Sequence, residues 1–149
     1  MREYKTQTKE IIITTTFSTP IGEMFAAASK KGLVLLYFFT PYDIEANIDK
    51  LKKTLNADVI PGNSEIFDAL KTQLNEYFNK KRTTFEIPLQ LVGTPFQIKA
   101  WKELLNIPYG KTISYKEQAT KIENEKAFRA VANANGQNMI AILVPCHRV

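Results

Sequence analysis

The chain has 149 residues, a length that fits one domain or two small domains sharing an interface. Its composition, 44% hydrophobic and 23% charged, is typical of a globular protein. No apolar run reaches the length of a membrane span, and the polar start Met1–Lys5 is unlike a signal peptide. A single cysteine excludes an internal disulfide, and one cysteine with one histidine nearly excludes a zinc site. We therefore expect a reducing cytosolic or nuclear setting.

The net charge of +5 is concentrated in the last third of the chain. From Pro95 onward there are eight basic and four acidic residues, a net charge of +4, so the first 94 residues carry only +1. Concentrated positive charge suits a phosphate backbone. A solvated basic face without a ligand would explain the same pattern.

The first part of the chain has strand-forming composition. Runs rich in Ile, Thr, Ala and Leu are separated by turn signals at 19–22 and 30–32, which predicts an antiparallel sheet. The predicted strands are Glu10–Ser18, Met24–Ser29 and Leu33–Phe39.

Helical periodicity follows the predicted strands. Apolar residues recur at helical spacing from Tyr42 to Leu55, and Ser64 is a suitable N-cap for a second helix that ends near residues 80–82. Residues 85–89 fit a short edge strand or a linker. We place a boundary near Gly93, which divides the chain into units 1–93 and 94–149.

Two capping boxes mark helices in the second unit. The first is Thr94–Gln97, with Pro95 at the first helical position, and the second is Ser114–Glu117, which opens a short helix through about Ile122. A polar turn at 123–125 and a third helix from about Lys126 to Asn135 follow, ended by an ordinary C-cap signal at Asn135–Gly136. This succession predicts a helix-turn-helix.

The third helix is rich in small residues. We expect Phe128 and Val131 to face the core and Ala127, Ala130 and Ala134 to lie on the other side. Such a thin helix can approach a nucleic-acid groove closely, although alanines are also simply good helix formers.

The chain's only cysteine and only histidine are adjacent, at Cys146 and His147. The apolar run Met139–Val144 predicts a short buried strand that Pro145 ends. Neighbouring side chains of an extended segment point to opposite faces, so a bridging water would be needed for His147 to act on the thiol unless the chain turns after Pro145. A lone cysteine on an apolar segment is more commonly a small core residue.

Several motifs together resemble the O6-alkylguanine-DNA alkyltransferases, a DNA-repair family. The match runs in order over about 55 residues and includes a final Pro-Cys-His-Arg-Val. The first unit is only loosely similar to the family's N-terminal domain. The matching stretches are Thr94–Gln97 with Trp101, Ile107–Gly110, Ile113–Tyr115, Arg129–Val131, Asn138, and Val144–Val149.

The resemblance implies an α+β fold, in which an antiparallel sheet with helices (ribonuclease H-like) precedes a winged helix-turn-helix domain. It also implies a single-turnover repair reaction without a cofactor or metal. The protein would bind duplex DNA through the minor groove, flip the alkylated guanine out of the stack and accept its alkyl group on Cys146. Sulfur is the best side-chain nucleophile for such a carbon.

The resemblance further assigns roles to individual residues. Besides Cys146, it implies these assignments: His147 as a base acting through water, Tyr115 contacting the phosphate and the guanine, Arg129 filling the vacated place in the stack, Asn138 bracing the active-site segment, the carbonyls of Cys146 and Val149 receiving the guanine amine, and Thr94, Ala127 and Ala130 at the DNA interface.

Alternatives remain at this stage. Family members continue past the cysteine motif through a loop and a helix, so we expect this chain to lack that segment and to have reduced activity. A non-catalytic lesion-binding relative is the second candidate function, a generic winged-helix domain with an inert cysteine the third, and a thiol protease a remote one. We expect a monomer in the cytoplasm, associated with the nucleoid, or in the nucleus of a eukaryote.

Overall fold

The computed structural model describes residues 10–39, 41–122 and 126–149. Three antiparallel strands form where the sequence predicts them: β1 (Glu10–Thr19), β2 (Gly22–Ser29) and β3 (Gly32–Phe38). The predicted meander is therefore confirmed. β2 is buried from Met24 to Ser29 and forms the centre of the fold.

A fourth strand completes the sheet and was not predicted. β4 (Ala57–Pro61) pairs in parallel with β1, so the sheet is mixed and its order is β3-β2-β1-β4. It has five residues, is mostly exposed and ends in proline, and therefore carries little strand signal of its own. The turn into it passes through Asn56 at φ 49°, directly after helix α1 (Pro41–Leu55).

Helix α2 (Glu65–Phe78) begins at the predicted N-cap. The Ser64 hydroxyl accepts a hydrogen bond from the Ile66 N–H at 3.2 Å, and three apolar residues of the helix are buried in the core. After α2 the chain runs without regular structure to residue 94 and follows the outer edge of β3. There the Leu33 N–H donates to the Pro88 carbonyl at 2.8 Å.

Gly32 permits that close approach. It lies at φ 156°, and a Cβ at this position would come within 2.6 Å of the Pro88 carbonyl oxygen. Residues 85–89, predicted as a short edge strand or a linker, form a linker that meets β3 at one bridge, between Leu33 and Leu89.

The last three helices are short and pack on one another. They are α3 (Pro95–Leu104), α4 (Tyr115–Lys121) and α5 (Phe128–Gly136). Both predicted capping boxes are present in full, at Thr94 and at Ser114. The predicted turn at 123–125 lies outside the described residues.

The predicted orientation of α5 is partly wrong. Val131 is buried as expected, but Phe128 is 45% exposed and Ala134 is only 2% exposed. The inward face consists of Val131, Ala134 and Asn135, because α3 and α4 pack against the later turns and leave Phe128 at the flank of the first turn. Gly136 is not a left-handed cap either, since it is the last helical residue and the C-cap is Gln137, at φ −95°.

The main hydrophobic core draws on both predicted units. Strands β2 and β3 and helix α2 contribute from the first, and α3 and the segment before Cys146 contribute from the second. The boundary near Gly93 thus separates two parts of the chain that share one core, and it stays a prediction. The largest buried side chains of this core are Met24, Leu33, Leu36, Phe67, Leu70, Leu74, Trp101, Leu104 and Ile140.

Candidate active site

The segment before Cys146 is not the strand that its apolar sequence predicts. It meets the sheet at a single parallel bridge between Ile140 and Leu36, where the Leu36 N–H donates to the Met139 carbonyl at 2.9 Å. It then turns away at Ile142, whose φ of 70° is unusual for a β-branched residue. The Leu143 N–H donates to the Ala141 carbonyl at 2.7 Å and closes this turn. Tertiary contacts therefore override the local strand signal.

A second tight turn presents the cysteine. Pro145 has φ −83° and ψ 68°, and the Cys146 N–H donates to the Val144 carbonyl at 2.9 Å, which is the pattern of an inverse γ-turn. Cys146–Arg148 then form one turn of 3₁₀ helix. The expectation of an extended segment is therefore wrong: neighbouring side chains here project about 120° apart and not to opposite faces. Cys146 is half-buried and His147 is exposed.

Asn138 holds the two ends of the turning segment together. Its amide Nδ2 donates to the carbonyls of Ile140 and Val144, at 3.2 and 2.8 Å, and its Oδ1 accepts from the Ile140 N–H at 3.0 Å. Val144 is fully buried and lies two residues before Cys146. These bonds fix the path of the chain between α5 and the cysteine, and the bracing role that the resemblance implies for Asn138 stays a prediction.

Arg148 ties the turn to the loop between α3 and α4. Its Nη1 donates to the Ile107 carbonyl at 2.7 Å, and its guanidinium carbon lies 5.8 Å from the centre of the Tyr109 ring. Its own carbonyl accepts from the Ile113 N–H at 3.0 Å. The last residue, Val149, donates its N–H to the Cys146 carbonyl at 3.3 Å, which leaves that carbonyl a second lone pair for a ligand.

The electrostatic surroundings favour a neutral His147. Partial burial lowers the pKa of the imidazole below its usual 6.5, and the positive charge of the adjacent Arg148 lowers it further. The ring is therefore unprotonated at neutral pH and has a free lone pair. It can act as a base towards a thiol or towards a water bound between the two groups.

The predicted DNA-contacting residues lie on α3, α4 and α5. Tyr115 is the exposed first residue of α4, two residues beyond Ile113, so the bond from Ile113 to Arg148 joins the start of α4 to the Cys146 turn. Arg129 and Ala130 are exposed on α5, and Ala127 is its half-buried N-cap. Thr94 is exposed, and its hydroxyl caps α3.

A buried amide pair, which was not predicted, joins α4 to α5. Gln118 and Asn135 are 0% and 5% exposed and bond reciprocally: Gln118 Nε2 donates to Asn135 Oδ1 at 3.0 Å, and Asn135 Nδ2 donates to Gln118 Oε1 at 2.7 Å. Gln118 also donates to the Ala100 carbonyl of α3 at 3.0 Å. Trp101 of α3 donates to the Ala134 carbonyl of α5 at 2.8 Å. The sequence offered one signal for this pair: Gln118 lies beside Ala119, a buried residue of the same short helix.

The residues that the structure describes have neither a metal-binding cluster nor a membrane-spanning helix. Within them, no group of His, Cys, Asp and Glu side chains could hold a metal ion. No helix among these residues is long and apolar enough to cross a membrane.

Two family models cover nearly the whole chain. Residues 95–149 match the DNA-binding domain of 6-O-methylguanine DNA methyltransferase, and residues 12–91 match its ribonuclease-like domain. The chain belongs to this family. The resemblance stated from the motifs is therefore confirmed, as is the fold class, and the protein is a DNA-repair methyltransferase with a DNA-binding domain.

Relatives and solved structures agree with this assignment. The methyltransferase is 41% identical over 131 residues to the methylated-DNA–protein-cysteine methyltransferase of Methanosarcina mazei, covering 88% of this chain and 77% of the relative. It is 40% identical over 135 residues to the constitutive enzyme of Bacillus subtilis, covering 91% and 78%. The structure of Mycobacterium tuberculosis O6-methylguanine methyltransferase matches with a TM-score of 0.74 and 39% identity, over 93% of this chain and 78% of the other. The structure of the same organism's protein in complex with DNA matches with the same TM-score, over 93% and 77%, at 40% identity.

Proposed function

We propose that this methyltransferase repairs O6-alkylguanine in duplex DNA by a single transfer of the alkyl group to Cys146. The protein binds through the minor groove and flips the damaged base out of the stack, a step that costs a few kcal/mol. The observation that carries the proposal is the presentation of Cys146: a half-buried thiol on a turn joined by a backbone hydrogen bond to the segment that opens α4.

The transfer is balanced within the protein and its substrate. The sulfur forms a bond to the alkyl carbon while the bond from that carbon to the guanine oxygen breaks. The thiol proton passes to His147 through water. The departing guanine takes up a proton from water, which the His147 imidazolium replaces, and Tyr115 donates a hydrogen bond to the charge that develops. The products are unmodified guanine and a thioether at Cys146. The thiol is not regenerated, so each molecule reacts once.

The remaining residues act on the DNA. Arg129 projects from the exposed face of α5 and fills the place that the flipped base vacates. Ala127 and Ala130 let the start of this helix come close to the groove, and Thr94 contacts the backbone. The carbonyls of Cys146 and Val149 accept the amine of the guanine, while Asn138 keeps the segment in place.

We further propose that the protein acts as a monomer and without a cofactor. Its site of action is the cytoplasm, in association with the nucleoid, or the nucleus in a eukaryote. Residues 1–93 form the ribonuclease-like unit, and 94–149 form the unit that binds DNA and carries the reacting cysteine.

Intact-mass measurement tests the proposal directly. The chain is incubated with a duplex oligonucleotide that contains one O6-methylguanine, and with the same duplex without the lesion. We expect the mass of one methylene group to be added, only with the lesion duplex, at a yield of one per chain. Peptide mapping should locate the addition on the peptide that contains Cys146, and C146A should gain nothing.

The second candidate function gives a different result in the same experiment. A non-catalytic lesion-binding protein would gain no mass but would bind the lesion duplex more tightly than the plain duplex. The half-buried thiol at the family's cysteine position favours transfer over binding alone. An unchanged mass together with equal affinity for the two duplexes would contradict both candidates.

A further inference from the structure

Arg148 connects the Cys146 turn to a part of the chain far away in sequence. Its guanidinium donates to the carbonyl of Ile107 at 2.7 Å and lies over the ring of Tyr109, 5.8 Å from the ring centre. Its carbonyl accepts from the N–H of Ile113 at 3.0 Å. All three partners belong to residues 105–114, the loop that leads from α3 to Tyr115 at the start of α4.

Part of the turn borders a cavity. This cavity has a volume of about 210 Å³, and its lining includes Ile142, Leu143 and Pro145 of the turn together with Phe85 and Leu89. Arg148 and Tyr109 line the same cavity. Where the turn borders this space fewer atoms pack against it, and the bonds of Arg148 are the directional contacts that tie the turn to the loop.

The Tyr109 ring is itself supported from the first unit of the chain. Tyr77 of α2 meets it edge-on, with ring centres 5.9 Å apart and an interplanar angle of 72°. Phe85 in turn packs against Tyr77, with 5.0 Å between the two ring centres. A continuous row therefore runs from Phe85 through Tyr77 and Tyr109 to the guanidinium of Arg148.

We propose that Arg148 is a positioning residue that, through Ile107 and the Tyr109 ring, fixes the distance between Cys146 and Tyr115 and so makes alkyl transfer efficient. The inference rests on the transfer reaction proposed above. It also gives the ribonuclease-like unit a role in the reaction, because Tyr77 supports the ring on which the guanidinium rests.

The test compares Arg148→Met with Arg148→Lys and with a control. Methionine keeps an apolar stem but removes the guanidinium, lysine keeps the charge but not the planar fork, and Arg82→Met removes a partly buried arginine that pairs with Glu76 at 2.9 Å. Three quantities are measured at a temperature where circular dichroism shows every variant folded: the single-turnover rate at saturating lesion duplex, the duplex dissociation constant, and the rate of Cys146 alkylation by iodoacetamide.

We expect Arg148→Met to lower the saturating transfer rate by about tenfold to a hundredfold, because a small displacement of reacting groups has effects of this size. Its dissociation constant should change no more than that of Arg82→Met. Its iodoacetamide rate should be equal to or higher than wild type, since a looser turn still exposes the thiol. Arg148→Lys should lie between Arg148→Met and wild type.

Tyr109 supplies the second pair of variants. Tyr109→Phe keeps the ring and should transfer at nearly the wild-type rate, whereas Tyr109→Leu removes the ring and should approach Arg148→Met. A role in stability alone would lower the melting temperature of Arg148→Met without changing the rate of the folded protein, and that result would overturn the inference. So would equal losses in the transfer and iodoacetamide rates.

The outcome for wild type separates this inference from the proposed function. If wild type does not methylate Cys146, the proposed function fails and this inference fails with it. If wild type methylates Cys146 and Arg148→Met does so at the rate of Arg82→Met, only the inference fails.

Discussion

Helix α4 and the Cys146 turn, which the bond from Ile113 to Arg148 connects, are stabilised in opposite ways. The helix α4 begins at a capping box whose two partners are three residues apart, Ser114 and Glu117. The turn around Cys146 has one 3₁₀ turn and two tight reversals, and its supports come from Asn138, Ile107 and Ile113. A local signal thus starts α4, which carries the proposed DNA contact Tyr115, whereas tertiary bonds hold the segment that presents Cys146.

This difference has a functional consequence. A helix that depends on local caps keeps its shape when its surroundings change, which suits a surface that docks against a uniform duplex. A turn held by a few tertiary bonds places one sulfur atom with accuracy only while those bonds persist. Variants that remove single bonds should therefore affect the two regions unequally.

The largest effect is expected from Asn138→Ala. The change removes three hydrogen bonds to the backbone of the turning segment and leaves the buried Ile140 N–H without its side-chain acceptor. We expect a loss of about 1–3 kcal/mol in the free energy of unfolding and a fall of roughly a hundredfold in transfer rate. Urea unfolding and single-turnover mass measurements check both values.

Asn63→Ala is the matched control, since Asn63 is an exposed asparagine in the loop between β4 and α2. Asn63→Ala should leave the free energy of unfolding and the transfer rate at the wild-type level. A wild-type transfer rate in Asn138→Ala would show that the turn holds its position without the amide, and the contrast between the two regions would disappear.

The next effect concerns the buried amide pair that joins α4 to α5. In Gln118→Met the buried Asn135 amide loses its partner, and in Asn135→Leu the glutamine keeps only its bond to the Ala100 carbonyl. Each single change should cost about 1–3 kcal/mol, while the double change should cost less than the sum, because no buried polar group is then left unpaired. Urea unfolding of wild type, the two single variants and the double variant gives the coupling free energy between the two side chains. Additive losses would mean that the pair does not join the helices energetically.

The same contrast explains what the sequence could and could not predict. The N-caps at Ser64, Thr94 and Ser114 were found because the partners of a cap lie within three residues. β4 and the path after Ile140 were missed because parallel pairing and the reversal at Ile142 depend on remote contacts. The site residues came from a resemblance, and their roles stay predictions. Arg148 had no predicted role, since Ile107 and Tyr109 lie about forty residues earlier in the chain.

The two capping boxes should contribute similarly to stability but differently to DNA binding, and both effects should be smaller than those above. Ser114→Ala and Thr94→Ala each remove a hydroxyl that accepts from a backbone N–H, at 3.0 and 3.1 Å, and each should cost about 1 kcal/mol. If Thr94 also contacts DNA, only Thr94→Ala should weaken duplex binding beyond its effect on stability. Urea unfolding measures the loss of stability in each variant, and fluorescence anisotropy with a labelled duplex measures the loss of duplex affinity. Equal duplex affinities would remove Thr94 from the proposed interface.

The smallest effect is a shift in the pH dependence of the turn. Burial and the charge of Arg148 hold the pKa of His147 below 6.5, so protonation of the imidazole destabilises the folded state. The neutral ring therefore contributes to the free energy of unfolding. This contribution is complete above pH 6.5 and is lost as pH falls through the folded-state pKa. The transfer rate should fall over the same range. Because His147 is the only histidine, its imidazole proton resonance gives the pKa directly. Arg148→Met should raise that pKa towards 6.5, whereas Arg82→Met should leave it unchanged. A raised pKa in both variants would assign the shift to net charge and not to the neighbouring guanidinium.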